Sequence, residues 1–209
     1  MLTIALSKGR ILKQILPLLE RIGINLSDDP FTSRKLIFAT NQDDLQAVVI
    51  RATDVPTYVQ FGAADLGLVG KDGLMEHGGE GLCELLDTKL SACRLMTAVP
   101  KHRHPDSGQN KRLRVATKYP RLAQRHYQAQ GRQAEIIKLY GAMELAPLLG
   151  LADEIVDLVE TGNTLKANNL EAKVLVADIS CRLVANAAAM RLKHTQIKSL
   201  VDNLQTVID

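Results

Sequence analysis

Short apolar runs alternate with segments of helical spacing along nearly the whole chain. Residues 2–7 (LTIALS) are one such run, ending on polar Ser7. Lys8, Gly9 and Arg10 follow, and ILKQILPLLERIG then carries apolar residues at helical intervals up to Gly23. The same strand, tight turn and helix rhythm recurs. Strands are expected at 36–40, 46–51, 64–70, 91–99, 113–117, 134–139, 154–159 and 172–179. Helices are expected at 54–61, capped by Asp54 with Pro56 in its first turn, and at 71–77, 120–131, 142–150 and 162–169. Residues 101–112, polar and rich in turn formers, read as an exposed hairpin tip, and the stretch after 179 reads as helical.

This alternation implies an α/β protein. The rhythm restarts near residue 91, so two α/β lobes with mostly parallel sheets and a cleft between them fit better than one wide sheet. The first lobe takes residues 1–90 and the returning helices of 180–209, and the second takes 91–179. With aromatics at 3% and no Trp, the core must be aliphatic, and base-stacking platforms for nucleic acid are disfavoured. A net charge of +3, from 26 basic and 23 acidic residues, is too balanced for a nucleic-acid-binding surface, yet leaves room for a local basic pocket. Cys83, Cys93 and Cys181 are scattered and suggest neither a disulfide framework nor a zinc site, which suits a reducing cytoplasm. The opening MLTIALSKGR reads as a buried strand, neither a signal peptide nor a membrane span.

The segment EIVDLVETGNTLKANNL (154–170) is the most informative. A strand ends in acidic residues, and Thr161-Gly162-Asn163-Thr164 opens a helix, where unpaired N–H groups favour a phosphate. The hydroxyls of Thr161 and Thr164 and the Asn163 amide can add hydrogen bonds. Asp157 and Glu160 cannot favour a phosphate; they suit sugar hydroxyls or Mg²⁺. An ordinary capped helix has the same local sequence.

Glu144, Gly150, Ala152, Ile155, Asp157, Leu158, Thr161, Gly162, Thr164 and Leu165 stand at the spacing of the ATP phosphoribosyltransferase signature, so the chain resembles that family. ALSKGR at 5–10, SRKL at 33–36, IRATDVPTYVQFGAADLGLVGKD at 50–72 and KLYGAMELAPLLGLAD at 138–153 extend the resemblance. It implies transfer of the phosphoribosyl group of 5-phosphoribosyl-1-pyrophosphate (PRPP) to N1 of ATP with release of pyrophosphate, the first step of histidine biosynthesis. It also implies Mg²⁺ carried with PRPP and ATP. The chain stops at Asp209, about where the regulatory domain of long members begins. That likens it to the short form, a homodimer that assembles with a regulatory subunit resembling histidyl-tRNA synthetase, with no nucleic-acid or membrane partner. Two lobes around a cleft also describe periplasmic binding proteins, and TGxT after acidic residues also occurs in nucleobase phosphoribosyltransferases.

Further candidates gather at strand ends, where α/β folds bind ligands. Lys8 and Arg10 flank Gly9 at a helix start, where positive charge opposes the dipole unless an anion is bound. The resemblance assigns the 33–35 segment to the active site, with Arg34 favoured because a guanidinium grips phosphate through two bonds. Arg51 either contacts substrate or pairs with Asp54 or Asp72. Lys71 and Asp72 lie near ATP by resemblance, although Asp72 has a plain reading as a helix cap. The expected roles are thus PRPP for Asp157, Glu160 and Thr161–Thr164, leaving-group neutralisation for Lys8, Arg10 and Arg34, and ATP for Arg51, Lys71 and Asp72. His102 and His104 form an HxH pair without further ligands around it.

Overall fold

A computed structural model describes residues 1–101 and 112–208, so the 102–111 stretch with His102 and His104 lies outside the described residues. The chain begins with β1 (Leu2–Ser7), α1 (Arg10–Arg21), β2 (Ile37–Ala39), β3 (Leu45–Ile50), α2 (Val55–Gln60), β4 (Leu66–Gly70), α3 (Lys71–His77) and β5 (Leu82–Asp87). It continues with β6 (Cys93–Pro100), β7 (Leu113–Thr117), α4 (Pro120–Ala129), β8 (Ala134–Lys138), α5 (Leu145–Leu148), β9 (Glu154–Val159), α6 (Asn163–Ala167) and β10 (Leu170–Ile179). It ends with β11 (Cys181–Asn186), α7 (Ala187–Leu192) and α8 (His194–Ile208). Two compact units result, one of Met1–Ala92 with Ser180–Asp209 and one of Cys93–Ile179.

The first unit is built on a six-stranded sheet, β2-β3-β1-β4-β11-β5. All six residues of β1 are buried, as befits a central strand covered on both faces. Leu12, Ile15 and Leu19 of α1 and Ile197, Leu200 and Leu204 of α8 pack into the same aliphatic core as Leu2, Ile4 and Leu6. The second unit is a five-stranded sheet, β10-β6-β9-β7-β8, with Ile155, Val159, Leu165 and Leu170 in its core.

The parallel pairing expected from the rhythm holds at both centres, β3–β1–β4 and β9–β7–β8. The flanks are antiparallel, so both sheets are mixed rather than mostly parallel. Two strands escape the sequence pattern. β5 carries Glu84 within it and Asp87 at its end, which masks its apolar character. β11 runs straight into the Ala-rich α7, so CRLVANAAAM reads as continuous helix, yet Cys181–Asn186 is buried between β4 and β5. Asp54 does not cap α2: its own backbone is already helical, at φ −96° and ψ −21°, and its carboxylate accepts the Thr53 hydroxyl instead. Asn186 is the working cap, accepting the N–H groups of Ala188 and Ala189 at the start of α7.

One polar contact locks α4 to β9 in the second unit. The Tyr127 hydroxyl donates to buried Glu154 at 2.8 Å, and Arg132 stands 3.6 Å from the other carboxylate oxygen. Burial and the neighbouring Glu154 charge raise the Tyr127 phenol above its ordinary range, so it stays a donor. Tyr127→Phe leaves that carboxylate short of a donor. It should cost about 1.5–3 kcal/mol, read as a lower urea midpoint at unchanged slope. A loss below roughly 0.5 kcal/mol, the scatter of neutral surface changes, would show that the contact contributes nothing.

Candidate active site

The sheet of the first unit collects the cationic candidates on one edge. β3, β1 and β4 run parallel, with Ser7 beside Ile50 and Leu6 beside Leu68. Their C-terminal ends therefore open side by side, and Lys8–Arg10, Arg51–Thr53 and Lys71–Asp72 follow directly from them. β2 runs antiparallel to β3, so its beginning lies beside the end of β3, and the Val49 N–H donates to the Leu36 carbonyl. That pairing brings the Arg34 segment to the same edge.

The local geometry explains each turn. The buried Ser7 hydroxyl donates to the Leu68 carbonyl, and the Lys8 N–H donates to the Ile50 carbonyl at 2.8 Å. Gly9 caps α1 at φ 108°, ψ −136°, a backbone that L side chains rarely adopt. Arg10 follows as the first helical residue, and its guanidinium donates to the Ser91 carbonyl at 2.9 Å. Part of its hydrogen-bonding capacity thus serves the fold. Lys35 is also committed: it pairs with Asp28 at 2.8 Å, which holds the Asp28 carboxyl below the usual range through the hydrogen bond and charge of Lys35. Arg34, by contrast, is exposed and its side chain forms no hydrogen bond or ion pair among the described residues.

Arg51 is exposed and pairs with neither Asp54 nor Asp72 among the described residues. Lys71 does have a partner, the carboxylate of Glu84 on β5. Gly70, extended at ψ 143°, is the cap position of α3, and the Asp72 carboxylate folds back so closely that a Cβ on Gly70 would meet it at 2.2 Å. Asp72 therefore sits in the first helical turn, where an acid complements the dipole.

The second unit repeats the device with different chemistry. β9, β7 and β8 are parallel, and the buried Thr117 hydroxyl at the end of β7 donates to the Val156 carbonyl at 2.7 Å. Beyond β9, Glu160 and Thr161 lead into Gly162, which caps α6 in the left-handed region at φ 76°. A Cβ there would meet nothing closer than Val159 at 3.8 Å, so the glycine answers to backbone conformation rather than to space within the protein. Buried Leu165 pins α6 into the core and leaves Thr161, Asn163 and Thr164 exposed. The Thr161 hydroxyl accepts the Asn163 N–H at 3.4 Å. α6 has five residues, too short for a full helix dipole, so its exposed first-turn N–H groups are what an anion would meet.

Asp157 lies within β9, half-buried, with one oxygen accepting the Leu158 N–H at 2.8 Å, whereas Glu160 stands beyond the strand. Lys118 and Lys138 share this edge at the ends of β7 and β8, each near a tyrosine ring, at 5.9 Å from Tyr119 and 5.4 Å from Tyr140. Nothing in their local sequence singles them out; only the parallel register does. A pocket of about 340 Å³ lined by Tyr127, Arg132 and Glu154 lies where β9 begins, at the opposite end of that strand from the loop. Among the described residues no group of three or more His, Cys, Asp or Glu could hold a metal ion, and no helix is long and apolar enough to cross a membrane.

The family model described as ATP phosphoribosyltransferase matches residues 51–206. The ATP phosphoribosyltransferase of Marinobacter nauticus is 60% identical, over 100% of this chain and 96% of its own. That of Pseudomonas fluorescens is 57% identical, over 100% and 98%. Among solved structures, the ATP phosphoribosyl transferase (HisG:HisZ) complex from Thermotoga maritima superposes with a TM-score of 0.87 at 35% identity, covering 100% of this chain and 98% of that one. The periplasmic aliphatic sulphonate binding protein of Escherichia coli, at 14% identity and a TM-score of 0.59 over 99% of this chain and 72% of its own, shares the fold alone. The match of sequence and fold along its whole length shows that the chain belongs to the ATP phosphoribosyltransferase family.

Proposed function

We propose that this chain transfers the 5-phosphoribosyl group of PRPP to N1 of ATP and releases pyrophosphate, as the first step of histidine biosynthesis. The observation that carries the proposal is the full-length identity of 57–60% to proteins that bear this activity's name. The nucleophile is the lone pair of a neutral ring nitrogen, which needs no general base before attack. Catalysis then rests on holding two substrates in line and neutralising the charge that develops on the leaving pyrophosphate.

Each candidate residue has a role in this scheme. The backbone and hydroxyls of Thr161–Thr164 take the 5-phosphate, and Asp157 and Glu160 take the ribose hydroxyls. Lys8, Arg10 and Arg34 neutralise pyrophosphate, while Arg51, Lys71 and Asp72 serve ATP. The left-handed Gly162 and the exposed Arg34 support these assignments. Mg²⁺ arrives on the polyphosphates as part of the substrates. We assign the active form to a homodimer joined to a regulatory subunit resembling histidyl-tRNA synthetase, by analogy with the two-component Thermotoga maritima complex, and its place to the cytoplasm.

The direct test is incubation with ATP and PRPP, followed by pyrophosphate release and by the absorbance of the adduct. Activity with free purines or pyrimidines in place of ATP would redirect the assignment to a nucleobase enzyme. Arg34→Ala should lower turnover roughly 100- to 1000-fold, by comparison with the loss of a single oxyanion donor. Wild-type rates under chemistry-limited conditions would remove Arg34 from the leaving-group site. Gly162→Val places a β-branched residue at positive φ and should weaken PRPP binding by calorimetry in a folded variant. Unchanged affinity would refute the phosphate loop.

A further inference from the structure

The ion pair of Lys71 is one link in a closed ring. Its Nζ binds Glu84 Oε2, and Glu84 Oε1 accepts Nη1 of Arg182 at 3.0 Å. Nη2 of Arg182 lies 2.9 Å from Asp87 Oδ2, and Asp87 Oδ1 accepts the Ser180 hydroxyl at 2.7 Å. Ser180 closes the ring, because its carbonyl accepts the backbone N–H of Lys71 at 2.9 Å. Two cations alternate with two anions, so the ring is neutral. Burial pushes the Asp87 carboxyl upward, but the Lys89 N–H, the Ser180 hydroxyl and the Arg182 charge together hold it below the usual range.

The backbone is built to make this ring. Glu84 and Asp87 are three residues apart, and in a regular strand they would face opposite sides of the sheet. They both reach Arg182 because β5 is irregular there: Arg182 pairs with Asp87 and Leu183 with Leu86, but Val184 pairs with Glu84. Leu85 is the extra residue, a bulge that re-aims Glu84, and bulges of this kind concentrate beside active sites. The irregularity turns a carboxylate toward Lys71 at the end of β4.

We infer that Glu84, fixed by Arg182, is a positioning residue that orients the Lys71 ammonium for the triphosphate of ATP. The inference rests on the proposed role of Lys71. A lysine has three donors on a flexible stem; one bond to Glu84 restrains the stem and leaves two donors for phosphate oxygens. Arg182 holds Glu84 and Asp87 at once through a planar fork of fixed geometry, where a lysine would bind them as a point charge on a flexible stem. The arrangement pre-orders a side chain that substrate would otherwise have to immobilise.

The experiment is a double-mutant cycle on the full chain with Glu84→Gln, Lys71→Met and the pair, reading KM for each substrate, kcat and Tm. Glu84→Gln should raise KM for ATP roughly 5- to 30-fold while KM for PRPP and kcat stay within about twofold, and should add nothing on the Lys71→Met background. Arg182→Lys, which keeps the charge and loses the fork, should give a smaller rise in the same parameter and serves if Glu84→Gln does not fold. If Lys71→Met raises KM for ATP and neither Glu84→Gln nor Arg182→Lys does, the positioning role is wrong and the ATP role of Lys71 stands. Equal effects of Glu84→Gln with and without Lys71, or equal losses for both substrates that track Tm, also overturn it. An unchanged KM for ATP in Lys71→Met removes the ATP role itself, and the inference with it.

Discussion

A buried hydroxyl at the end of each central strand governs where the loops of this protein begin. Ser7 ends β1 and donates to β4; Thr117 ends β7 and donates to β9. In each unit the bond ties the last residue of one strand to the interior of its parallel neighbour. Parallel pairing alone would put the C-terminal ends on one edge. The hydroxyl adds a fixed point for the turns that follow, and both units place their functional candidates just beyond it.

The two edges differ in what they offer an anion. The first presents side-chain charge from Lys8, Arg10, Arg34, Arg51 and Lys71, and two of these, Arg10 and Lys71, are already engaged in the fold. The second presents backbone N–H groups and small hydroxyls around Gly162. Point charges suit a polyphosphate that must be neutralised as it departs. A backbone cradle suits a phosphate that is held throughout and takes no part in bond breaking. The roles proposed for these residues divide in the same way, with the 5-phosphate as a handle and pyrophosphate as the leaving group.

Much of this was legible in the sequence, for local reasons. β1 and α1 declare themselves through an unbroken apolar run followed by helical spacing, and the turn between them needs the glycine found there. Thr161–Thr164 is legible because a glycine-bearing helix start follows a strand. What could not be read depends on distant partners. β11 looks helical until β4 and β5 are present to pair with it. Glu84 looks like a strand breaker until the bulge and Arg182 give it a role. The engagement of Arg10 by Ser91, and of Lys35 by Asp28, distinguishes them from Arg34 in a way that three exposed cations in a sequence do not.

The placement of β11 also sets an order of assembly. It lies between β4 and β5, yet the entire second unit is encoded between β5 and β11. On the ribosome, roughly 5–20 s separates the emergence of those strands at ordinary rates of synthesis. Throughout that interval the facing edges of β4 and β5 have no strand between them, and open edges invite pairing with other chains. The second unit can complete its sheet while the first waits. A chain released before Asn186 would carry that gap permanently, so the first sheet stays incomplete until these six residues have been made.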